Sequence, residues 1–214
     1  MNVTEALNAR RSTRAFLPTP VEKDNLSAVL EAAARTPSWA NSQPWEVFVA
    51  TGDTQQRIRE AFLEKHAQKA EATPEMPRPT QWTEAAKNRQ QQLRPGMVRD
   101  CGEAADQFVA LNQAMFYAPA GIYICMDKVL SEWSLYDIGA YSQSIMLAAS
   151  EQGLATIPAI NMVLFPDVLK RELQIPDNLK VTVGIAIGYA DQAHAINNFV
   201  SDRSPLDETV RFFD

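Results

Sequence analysis

Apolar positions recur along this chain with two different periods, and the changes of period mark its elements. Near the N-terminus Thr4 caps a short predicted helix that carries Ala6, Leu7 and Ala9 and ends at a basic cluster, with Pro18 and Pro20 beyond it. Leu26, Val29, Leu30, Ala33 and Ala34 then follow helical spacing, from a cap at or beside Asp24 to a stop at Pro37. WEVFVA at 45–50 reads as a strand, and Thr51-Gly52-Asp53 as a turn that caps the next helix. Residues 104–117 predict a helix that turns Phe108, Leu111, Met115 and Phe116 inward and stops before Pro119. AGIYICM predicts a buried strand, and 133–152 a long apolar helix closed by Gly153. After a short extended ATIPAI, Pro166 opens a helix to Leu173. LKVTVGIAIGY at 179–189 is the strongest strand signal, with Gly184 and Gly188 as close-packing positions. Helices and strands mixed without a regular βαβ beat predict an α+β fold.

Residues 64–100 depart from this pattern. They are rich in Gln, Glu, Lys and Arg and include Pro74, Pro77, Pro79 and Pro95. Met76, Trp82 and Ala85-Ala86 argue for a helical excursion packed over a pocket rather than a linker, within one domain spanning 1–214. Composition narrows the class: 46% of the 214 residues are hydrophobic and 21% charged, as in an ordinary globular chain. No run approaches the roughly 18 apolar residues of a membrane span, and the N-terminus lacks the apolar region of a secretory signal. A net charge of −6 argues against a duplex nucleic-acid partner. Cys101 and Cys125 form neither a disulfide framework nor a metal spacing, which fits a reducing compartment and makes the cytoplasm the expected location. His66 and His194 have no ligand neighbours, read as surface residues, and predict no metal site. With eight glycines, and no glycine-rich phosphate loop or nucleophile elbow, an enzyme built on this chain would leave its chemistry to a cofactor held some other way.

Three loops carry candidate chemistry. Arg10-Arg11-Ser12-Thr13-Arg14 offers forked donors and hydroxyls suited to a phosphate, although a solvated basic helix end has the same composition. Pro37-Ser38-Trp39-Ala40-Asn41-Ser42-Gln43-Pro44-Trp45 can read the polar edge of a flat heterocycle and stack on it; a rigid turn whose Asn and Gln satisfy local backbone would look alike. The third is NNFVSDRSPLDE, with Arg203 ahead of Pro205.

In this order and spacing the three loops resemble the nitroreductase family of flavin enzymes, over most of the chain. RRSTRAF is similar to the family's N-terminal R-x-S-x-R segment, PSWANSQPW to its P-S-x-x-N-x-Q-P-W loop, and NNFVSDRSPLDE to its closing basic motif. The resemblance implies an α+β fold with a central, mostly antiparallel sheet flanked by helices, in an intertwined homodimer that holds FMN at the subunit interface. It further implies that Arg10, Arg11, Ser12, Arg14 and Arg203 hold the phosphate and ribityl chain, and that Pro37, Ser38, Trp39 and Asn41 come from the partner. Gln143 matches a family position near the ribityl chain or the ring. Pro158, Ala159 and Ile160 fall where relatives place backbone beside flavin N5, but without the Glu and Gly some of them carry. Met76, Trp82 and Met97 are candidate lining residues of a cap over the flavin. The implied activity is ping-pong hydride transfer from NADH or NADPH to nitroaromatic, quinone or similar electron-poor acceptors, with no side-chain acid or base. Dehydrogenation, dehalogenation and flavin destruction on the same scaffold, or a non-catalytic flavin-binding redox module, are the alternatives. An obligate dimer also predicts that the faces Phe108–Phe116 and Ile145–Leu147 are partly interface.

Overall fold

A computed structural model describes residues 1–213. Its centre is one antiparallel sheet of β1 (Glu46–Thr51), β2 (Ala120–Asp127), β3 (Ala155–Pro158) and β4 (Leu179–Gly188), in the order β1-β2-β4-β3. The near-continuous apolar run of β2 follows from its place in the middle, covered on both faces. Alternate residues Tyr123 and Cys125 join one core with Phe62, Phe116, Phe165 and Leu169. Ala120, Ile122, Ile124 and Met126 join the other, with Val29, Ala33, Ile145 and Ala149.

The helices are α1 (Val3–Ala9), α2 (Lys23–Ala33), α3 (Gly52–Ala67), α4 (Glu84–Gln91), α5 (Leu93–Cys101), α6 (Phe108–Gln113), α7 (Trp133–Glu151), α8 (Pro166–Leu173) and α9 (Leu206–Thr209). α2 and α7 pack together on one face of the sheet; α3 and α8 lie on the other. The glycines of β4 answer to close packing: a Cβ on Gly184 would stand 2.5 Å from Met162 Cβ, and one on Gly188 2.6 Å from Pro119 Cδ.

Several expectations are corrected. Asn2, not Thr4, caps α1, in a reciprocal box where its side chain accepts from the Glu5 amide and Glu5 accepts from the Asn2 amide, both at 2.9 Å. The helix expected over 104–117 breaks into a 3-10 turn, the short α6 and a left-handed turn, with φ of 51°, 58° and 53° at Met115, Phe116 and Tyr117. The chain must reverse there to enter β2. Arg59 Nη2 braces the turn by donating to the Ala118 carbonyl at 2.5 Å, while Gln55 Nε2 and the Tyr123 hydroxyl converge on Met115 Sδ. Of the faces Phe108–Phe116 and Ile145–Leu147, Met115, Phe116, Ile145 and Met146 are buried within the protomer, while Val109 is exposed and Phe108, Leu111 and Leu147 are half-buried. Neither histidine is a plain surface residue. His66 is half-buried edge-on against Phe165, and burial lowers its pKa; His194 Nδ1 accepts from the Ile196 amide.

The excursion is held down rather than free. Beyond α3, an extended strap is pinned by Glu75, whose carboxylate takes the Lys170 ammonium at 2.6 Å and the Val181 N–H of β4 at 2.8 Å. The carboxylate thereby satisfies a strand donor beyond the short β3. α5 and the 3-10 turn after it then build a third small core in which Met97, Cys101 and Ala105 meet Ala15, Ile196 and Phe199.

Candidate active site

The basic segment after α1 is laid along the sheet edge. Ser12 bridges Thr156 in parallel register, and the Thr13 N–H donates to the Thr156 carbonyl at 3.0 Å. Asn197, itself buried, locks the next residues in place. Its Oδ1 accepts from the Arg14 and Ala15 amides at 2.7 and 3.2 Å, and its Nδ2 donates to the Ala15 and Asp191 carbonyls at 2.8 and 2.9 Å. This clamp joins two segments 183 residues apart. The clamp function of Asn197 was missed in the sequence; the only sign of it was membership of the NNFVSDRSPLDE motif.

The result is a cleft of about 480 Å³ lined by Arg10, Arg11, Ser12 and Arg14 from one end of the chain and Phe199, Ser201 and Arg203 from the other. Arg14 is only 8% exposed, its guanidinium set over the rings of Phe199 and Phe108 at 5.1 and 5.9 Å, with Nη1 donating to the Ser12 carbonyl. Burial lowers its pKa, and its Nε has no partner among the described residues. Arg10 is shifted down by burial and then by the neighbouring charge of Arg203. Arg203 Nη1 is tethered to Ser201 and to the Asp202 carbonyl. Among the described residues none of these four guanidiniums is ion-paired to a carboxylate. Four like charges gathered without counter-charge fit a dianionic phosphate, so this donor set suits the phosphate of FMN. A merely solvated helix end would not be roofed by Phe199 or buried at Arg14.

The second loop lies elsewhere: Pro37, Ser38 and Trp39 line a different cleft, of about 510 Å³, with Trp133, Tyr136 and Asp137 of α7. Ala40, Asn41 and Gln43 hold left-handed φ of 50°, 55° and 45°, a strained path stabilised by Gln43 N donating to Ser38 Oγ and Gln43 Nε2 to Asn41 Oδ1. The loop is a hydrogen-bonded turn, but Ser38 serves its backbone while the Asn41 and Gln43 side chains bond each other; it also displays an aromatic face. Trp39, Trp133 and Tyr136 are 69%, 68% and 75% exposed, with the two indoles 6.2 Å apart. Grouped exposed aromatic side chains of this kind make a candidate interaction surface. Asp137, buried and accepting from the Trp39 amide at 3.2 Å, is the α7 residue that meets the loop. Gln143, half-buried further along α7, lines none of the clefts described here.

Pro158, the last residue of β3, and Ala159 and Ile160 just after it border a third cleft of about 290 Å³, lined also by the strap residues Pro74, Met76, Pro77 and Pro79. The Ala159 N–H is spent on the Gly184 carbonyl at 3.0 Å and Pro158 has none. Ile160, half exposed, keeps the one N–H of this stretch without a partner among the described residues. Of the expected cap residues, Met76 lines this cleft, Met97 is instead packed in the third core, and Trp82 is exposed on the strap.

Residues 7–189 match the Nitroreductase family. The chain is 32% identical to 4-nitrobenzoate reductase of Pseudomonas putida, over 89% of this chain and 86% of that protein. It is 31% identical to chloronitrobenzene nitroreductase of Comamonas testosteroni, over 98% and 96% of the two chains. In structure it superposes with a TM-score of 0.89, at 28% identity and full coverage of both chains, on the FMN-dependent nitroreductase NfnB of Mycobacterium smegmatis in complex with NADPH. Fold, arginine cleft and these likenesses agree, and the chain belongs to the nitroreductase family.

Proposed function

We propose that the chain is an FMN-dependent oxidoreductase that passes hydride from NADPH or NADH to nitroaromatic or similar electron-poor acceptors. The observation that carries this is the cleft of four guanidiniums lacking carboxylate partners, set against the β3 edge of a nitroreductase-family chain. Bound there, FMN supplies the hydride relay. Arg10, Arg11 and Arg203, with Ser12, hold the phosphate and the start of the ribityl chain, and Arg14 sets the field of the cleft from its buried position. Ile160 offers its unspent N–H to the flavin N5 edge, where Pro158 and Ala159 contribute only shape. Positive charge and oriented N–H groups are what such a site needs from the protein.

The site is completed by a second copy. Pro37, Ser38, Trp39 and Asn41 stand apart from the arginine cleft of their own chain and, in this reading, reach the partner's flavin. The exposed aromatic surface of Trp39, Trp133 and Tyr136 supports a homodimer, because burying it removes a large apolar area from water. The two buried free cysteines fit a cytoplasmic protein, and no helix among the described residues is long and apolar enough to cross a membrane. The test is direct: purified after FMN addition and desalting, the chain keeps one flavin per protomer and sediments as a dimer. A monomer with full flavin content would overturn the shared site.

A further inference from the structure

The arginine cleft does not end at Arg203. On the far side of Phe199, Ser201 and Arg203 lies a second lobe of about 430 Å³, whose other wall is built by the excursion: Arg89 of α4 and Leu93 of α5, with Ser204 opposite. The two lobes adjoin, with Phe199, Ser201 and Arg203 lining both. Its shape is set by close packing, since a Cβ on Gly96 of α5 would stand 3.0 Å from the Phe199 ring. Helix and C-terminal segment are thus pressed together with no slack.

Arg89 is unusual on its helix. Lys87 is paired with Glu84, but the positions three and four away from Arg89 are Ala86, Ala85, Gln92 and Leu93, so no acid stands at helical spacing. Among the described residues its guanidinium makes one hydrogen bond, a long one from Nη1 to Ser204 Oγ at 3.5 Å. Asp202 also borders the lobe; the pKa of the nearby Arg99 is raised chiefly by its hydrogen bond to Asp100, with a smaller contribution from the charge of Asp202. The lobe therefore pairs an apolar floor of Phe199 and Leu93, suited to a flat base, with a guanidinium and two serine hydroxyls suited to a phosphate.

We infer that this lobe takes the adenosine half of the hydride donor and that Arg89 reads its 2′-phosphate, making the enzyme prefer NADPH to NADH. The inference rests on the FMN reading, since the nicotinamide end needs a bound flavin to react with. It assigns a task to the excursion: selection of the donor, through one arginine that the sequence leaves without an intrahelical partner.

Arg89→Ala and Arg89→Gln test it in the FMN-loaded protein. The expected result is a rise in KM for NADPH on the order of tenfold, as for loss of one charge-assisted hydrogen bond to a phosphate. KM for NADH, kcat with either donor and FMN content stay at wild-type values. Independently of turnover, calorimetry should show the wild-type chain binding adenosine 2′,5′-bisphosphate more tightly than AMP. In both variants that difference should vanish, and added salt should diminish it in the wild type. Equal effects on NADPH and NADH, or equal wild-type affinity for the two adenosine phosphates, would overturn the assignment. If the chain retains no FMN, the functional reading fails on that ground alone, while the nucleotide titration still reports on the lobe.

Discussion

Asn197→Ala is the substitution that should separate a built cofactor segment from a flexible basic tail. Asn197 is 3% exposed and makes four hydrogen bonds, accepting from two amides and donating to two carbonyls. Alanine removes all four and leaves the Arg14 and Ala15 amides and two carbonyls to find other partners in a place where little water reaches. At roughly 0.5–1.5 kcal/mol net per bond, with non-additivity trimming the sum, the loss is about 2–5 kcal/mol. For a chain of this size each kcal/mol corresponds to roughly 2–4 °C, so Tm should fall by on the order of 5–15 °C. The functional consequence follows from position: once residues 12–15 are released, Arg14 leaves its place over Phe199 and the guanidiniums no longer converge. FMN affinity should therefore drop even at temperatures where the variant is folded. Thermal melts with and without FMN, and flavin retention on desalting, measure both effects. A variant with unchanged Tm and unchanged flavin retention would refute the claim that this clamp builds the site.

Arg11→Ala should weaken FMN binding by about ten- to a hundredfold, the worth of a charge-assisted partner to phosphate, read by fluorescence titration of the apoprotein. Trp39→Ser should leave FMN bound and nicotinamide oxidation intact but change the ranking of a small and a bulky nitroaromatic in kcat/KM; lost flavin, or an equal drop for both, would instead make Trp39 a packing residue of the dimer. Gly184→Ala has no room for its methyl group beside Met162, so a loss of about 1–3 kcal/mol is expected in denaturant melts. Burial, and after it the charge of Glu75, pushes the Cys125 thiol up to about 12. Only about one molecule in 10⁴ then carries its thiolate at pH 8, and iodoacetamide should leave Cys125 unmodified in the native protein while labelling it fully in denaturant.

Periodicity was enough for the elements whose neighbours agree with their local preference. β2, β4, α7 with its closing Gly153, and α8 from Pro166 to Leu173 stand close to where the pattern places them, because burial and propensity act in the same direction there. The pattern failed where long-range contacts overrule it. Apolar residues at 115–117 continue a helical stripe, but the φ values that bring Met115 and Phe116 into the core are left-handed and depend on Arg59, which is distant in sequence. The strap of 68–83 has no period to read, since its order comes from Glu75 reaching Lys170 and β4. For the site, the arginines were legible as a cluster and Arg203 as a motif residue, and the structure brings them to one cleft. Asn197 and Asp137 were not picked out, because a buried polar residue that satisfies backbone groups looks in sequence like any other loop or helix residue.

Anaerobic titration of the FMN-loaded protein with NADPH, followed by addition of a nitroaromatic, tests the central claim most directly. The account predicts that the visible flavin band bleaches with one equivalent of NADPH per flavin and returns when the acceptor is added, with no third component required. A flavin that stays oxidised through excess NADPH and NADH, or a bleached flavin that no nitroaromatic or quinone restores, would contradict it.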